Sequence, residues 1–199
     1  MNEAPRFRRP LALATLEGLR TDLDTATRVE AAHATAAMLV SRGQREADEE
    51  SVRRFVHLAE EIGLEVIADM WATAPAVSLP GALWRLYVIR EWIHSAPSQV
   101  AAEFQAGQGR LDVDQVISGV ENPPGPDSVR TAADEILAGV FTGDLGMTLL
   151  RAAAFVRIVA LGRAALHRRG EAQRGPEGLQ AMATDLQHCA LAWRSGDLD

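Results

Sequence analysis

Two pairs of residues in this chain have the types and the spacing of metal ligands. Glu30 and His33, and again Glu91 and His94, set a carboxylate and an imidazole three residues apart. On a helix that spacing brings both side chains to one face. Two such pairs from two helices, joined by one glutamate from each of two others, hold the di-metal centres of ferritin-like bundles. Glu17, with Glu60, Glu61 or Glu65, would have to supply the missing carboxylates. The connections argue against this. Glu17 and Glu30 are too close in sequence to sit on two long antiparallel helices. Chance alone yields about 0.4 such pairs in a chain with this many glutamates and histidines. His94 also falls near a helix end before Pro97, where exposed carbonyls favour a cationic imidazole. The four residues are read as solvated helix-face pairs rather than ligands of a common metal.

Arginines on apolar segments form a second constellation: Arg85, Arg90, Arg151 and Arg157. A guanidinium fixed in a partly dry groove grips a phosphate or carboxylate through parallel hydrogen bonds and cannot shed its charge. Arg85, Arg90 and Arg157 are therefore the candidate residues for a small anionic ligand. The competing arrangement is favoured: with 27 acidic residues in the chain, these arginines pair with carboxylates and lock helices together. Trp84, Tyr87 and Trp92, with Trp71 nearby, are the aromatic candidates for a pocket wall or an interface anchor. Trp84 and Tyr87 share a helix face. Trp84 and Trp92 fall about 80° apart at 3.6 residues per turn, so Trp92 is the one expected at a groove or a dimer surface.

Two further arrangements fail on geometry. A helix-turn-helix over Leu64 to Ile93 would need a shorter turn than Ala74 to Pro80 and a recognition helix less apolar than the one carrying Arg85 and Arg90. His188 and Cys189 are adjacent, hence about 100° apart on a helix, which is poor for a thiol and its base. Cys189 reads as a core residue. As the single cysteine it can form neither an internal disulfide nor a cysteine zinc site, which points to a reducing, cytoplasmic setting.

Composition removes whole classes of chemistry. Every one of the 20 basic residues is arginine. Without lysine there is no Schiff base, no Walker A loop, no protein-kinase phosphate anchor and no serine–lysine hydrolase. The bias is that of a GC-rich genome and implies a bacterial source, not a mechanism. A net charge of −7 opposes non-specific binding to nucleic acid or to an anionic membrane. Residues 1–9, basic through Arg6, Arg8 and Arg9, are expected to be a disordered tail rather than a signal peptide. The apolar run Leu145 to Leu166 approaches the length of a membrane span, but Arg151, Arg157 and Arg163 make insertion too costly. It is expected to be the most buried helix of a core, with a carboxylate partner for Arg157 if that residue is buried.

Helices must position all of these residues. Alanine is abundant, aromatic residues make up 5% of the chain, and no run of alternating β-branched residues occurs. The pattern predicts a helix over Leu11 to Val40, broken near Asp22 to Thr25, and helix starts at Asp48, Pro80, Asp127, Asp144 and Pro176. A shorter helix runs from Pro97 to about Gly107, and a helical turn spans Asp112 to Ile117. The prolines of residues 122–127 form the firmest break, and 119–127 marks a weak subdivision.

Leu79 to Tyr87 (Leu-Pro-Gly-Ala-Leu-Trp-Arg-Leu-Tyr) and Ala138 to Asp144 (Ala-Gly-Val-Phe-Thr-Gly-Asp) resemble segments of an uncharacterised family of actinobacterial helical proteins. The resemblance extends over most of the chain from about Glu60. It implies a helical fold, and it brings no activity, ligand or site residue.

These observations predict an all-α protein, a single domain over residues 1–199 built as an irregular multi-helix bundle of about seven to nine helices. They favour a non-catalytic binding or protein-interaction domain with no cofactor, whose partner is another protein or a second copy of the chain, not a membrane or a nucleic acid. The alternative is a helical sensor or enzyme that binds a small anion through its arginines or a metal through the two Glu–His pairs.

Overall fold

The longest apolar run of the chain becomes the helix around which the others assemble. The computed structural model describes residues 26–41, 71–108, 112–120, 124–142, 144–167 and 176–199. Seven helices lie within these stretches: α1 (26–41), α2 (Leu79–Ser95), α3 (Pro97–Gly107), α4 (Asp112–Ser118), α5 (Pro126–Thr142), α6 (Leu145–His167) and α7 (Pro176–Ser195). No strand occurs among the described residues. The fold is an irregular all-α bundle, as the periodicity predicts. The tail at residues 1–9, the helix break at 22–25, the helix start at Asp48 and the glutamates at 17, 60, 61 and 65 lie outside the described residues.

Apolar residues are spread around the whole circumference of helix α6, interrupted by the charged residues Arg151, Arg157 and Arg163, a pattern that is stable for a helix enclosed by others. It contains more buried residues than any other described helix, and Leu149, Phe155, Val156 and Val159 are fully buried. It packs most extensively on α7 and α3, then on α4 and α5. Although long and apolar enough to cross a membrane, it is 72% buried inside the bundle, as a core helix is. One continuous core joins its side chains to Leu86, Ile89 and Ile93 of α2, Phe104 of α3, Val129 and Ile136 of α5, and Leu186 and Cys189 of α7.

Local signals set most helix ends. Asp144 accepts from the amides of Gly146 (2.8 Å) and Met147 (3.4 Å) and caps α6 as its type predicts. Pro97 and Pro176 occupy first-turn positions of α3 and α7, where a missing amide hydrogen costs nothing. α2 starts at Leu79 with Pro80 in its first turn, within a residue of the expected start, and Ser78 caps it: its hydroxyl accepts from Gly81 N at 3.2 Å. One cap differs from expectation. Asp127 stands inside the first turn of α5, because Pro126 already opens the helix and Ser128 bonds back to Gly125. α7 ends at Gly196 (φ 80°), with Asp197 N donating to Ala192 O and Gly196 N to Trp193 O, the paired bonds that close a helix through a left-handed residue. The chain then returns to α2, where Leu79 N donates to Asp199 O at 2.8 Å and Leu198 is buried.

The crossing of α3 and α6 is close. A Cβ on Gly162 would overlap the Glu103 carbonyl, and one on Gly107 would overlap the Ile158 carbonyl. The two backbones therefore touch, and only glycine fits at either position. Beside them Phe104 and Phe155 pack with ring centroids 5.2 Å apart and planes tilted by 34°.

Candidate functional site

The three arginines of α6 are spaced six residues apart, and each step of six turns the helix by about 240°. They consequently leave α6 in three directions and meet three different neighbours. Arg151 bonds Glu135 of α5 at 3.1 Å, and its guanidinium also lies against Gly119. Gly119 has φ 72°, so a side chain there would be strained and would collide with Arg151. Arg157 holds both carboxylate oxygens of Asp114 on α4, at 2.8 and 2.9 Å, and donates to Gln187 of α7 at 2.9 Å. Arg163 reaches Glu103 of α3.

The Arg163–Glu103 pair is the most buried of the set, with side chains 11% and 4% exposed. Two parallel bonds join them, Nε to Oε1 at 3.0 Å and Nη2 to Oε2 at 2.9 Å. Gln99 donates to Oε1 at 3.0 Å, and the guanidinium lies 5.2 Å from the centre of the Trp92 ring. Taking both charges out of water costs several kcal/mol per ion, offset only where forked geometry, extra hydrogen bonds and an aromatic face coincide, as here. Glu103 is not among the candidates that the sequence offers, and Arg163 enters there only as a bar to membrane insertion. The six-residue arginine spacing, and a glutamate flanked by Val100, Phe104 and Gly107 in a short apolar helix, were the available signals.

The arginines of α2 are engaged in the same manner. Arg85 bonds Asp185 of α7 and the Gly81 carbonyl, each at 3.0 Å. Arg90 donates from Nε to Asp134 of α5 at 2.8 Å and from Nη1 to Glu91 at 2.9 Å. His94 Nε2 lies 2.9 Å from the same Asp134 oxygen. The structure thus brings Arg90, Glu91 and His94 together around Asp134, and directs Arg85, Arg90 and Arg157 to carboxylates on three different helices.

Of the aromatic candidates, Trp84 and Tyr87 do share a face, with centroids 5.9 Å apart. Trp92 packs half-buried on the core beneath Arg163. Trp71 is buried and donates from Nε1 to the Ala32 carbonyl of α1 at 3.2 Å. On α1, Glu30 is exposed and His33 half-buried. Among the described residues no group of three or more histidines, cysteines, aspartates or glutamates is placed to hold a metal ion.

Cys189 is fully buried, with its Sγ 3.4 Å from the Ala76 carbonyl. Burial pushes the thiol above its ordinary value against the opposing pull of the Arg85 guanidinium. A thiol held neutral is a poor nucleophile, and His188 next to it is exposed.

Comparison with known proteins finds no matching family model, no matching curated protein and no matching solved structure.

Proposed function

We propose that the chain is a non-catalytic helical binding or protein-interaction domain that works in the cytoplasm, its partner another protein or a second copy of itself. One observation carries this reading. Arg85, Arg90, Arg151, Arg157 and Arg163, the polar groups best suited to gripping a ligand, each bond a carboxylate on a neighbouring helix. Their chemistry is spent on joining the bundle. A guanidinium already forked on a carboxylate must break that pair before it accepts a phosphate, which weakens any such ligand by the energy of the pair. The likeness of residues 79–87 and 138–144 to actinobacterial helical proteins belongs to the same reading.

A thermal-shift screen with phosphate, citrate, ATP, Zn²⁺ and Mn²⁺ tests it against the anion- or metal-binding alternative. No shift is expected with any of them. A dose-dependent rise in Tm with phosphate, citrate or ATP that Arg85→Gln or Arg90→Gln abolishes overturns the reading in favour of a ligand-binding protein. So does a rise with either metal that His94→Ala removes.

A further inference from the structure

We draw no further inference here: the strongest candidate, the exposed apolar side chains of Val116 on α4 and Leu191 on α7, carries nothing because nothing in the structure shows what covers them.

Discussion

The α3–α6 crossing and the α2–α5 seam use the same chemistry, an arginine on a carboxylate, in opposite surroundings. At the crossing, Glu103 and Arg163 are nearly dry, and glycines bring the backbones into contact around them. At the seam, Asp134 is 48% exposed and two donors, Arg90 and His94, share one of its oxygens in partial contact with water. Water decides the difference. A charge deprived of its partner at the seam is rehydrated at small cost, whereas one stranded at the crossing is not. The buried pair therefore penalises any placement of α3 on α6 that separates its partners, while the exposed one trims a contact that apolar side chains already make.

The sharpest break of that comparison is Glu103→Ala, which leaves Arg163 buried without a counter-ion. It is expected to destabilise the fold by about 4 kcal/mol in urea denaturation. The double variant Glu103→Leu with Arg163→Met should recover most of that loss, because neither ion is then desolvated. A double variant as unstable as the single one would show that packing, not charge, dominates the crossing.

Gly162→Ala probes the backbone contact beside the same pair. With its Cβ directed at the Glu103 carbonyl, it should cost about 3 kcal/mol and lower Tm, since the helices must separate to admit a methyl group. An unchanged Tm would mean that the crossing is looser than its geometry.

At the seam the effects are smaller. A double-mutant cycle on Arg90→Ala and Asp134→Ala should give a coupling of about 0.5 kcal/mol that shrinks as salt is raised. A coupling above about 2 kcal/mol would place the seam in the same class as the crossing and end the distinction drawn between them.

The smallest effect concerns Cys189, buried near the Arg85–Asp185 pair. Because its pKa is raised above 9.0 in the folded chain, the folded state retains a proton that the unfolded state has released. The contribution of this thiol to stability is therefore constant well below pH 9 and falls as pH rises through and above it. Cys189→Ala should flatten that alkaline decline. At pH 8 a thiol reagent should label the native protein slowly and the urea-unfolded protein at once; equal rates would show that the thiol is open to solvent.

The helices themselves were legible in the sequence, because their causes are local. Alanine content, apolar spacing, Pro97 and Pro176 at first turns and Asp144 as a cap act within a few residues of where they stand. The same signals mark α6 as the core helix, since a run with apolar residues around its whole circumference is stable when other helices enclose it. Ser78, the cap of α2, is overshadowed in the sequence by Pro80 two residues on, and Asp127 has the type of a cap although Pro126 already opens the helix. The partners of the arginines were not legible. Any of 27 acidic side chains could have answered each guanidinium, and helical periodicity says which way a residue points but not which helix it meets. Only the tertiary structure decided that Arg163 meets Glu103, that Arg157 meets Asp114, and that Arg90 and His94 converge on Asp134. Those choices depend on how closely helices approach. The approach in turn is set by glycines such as Gly107 and Gly162, whose part is visible only once the facing backbone is in place.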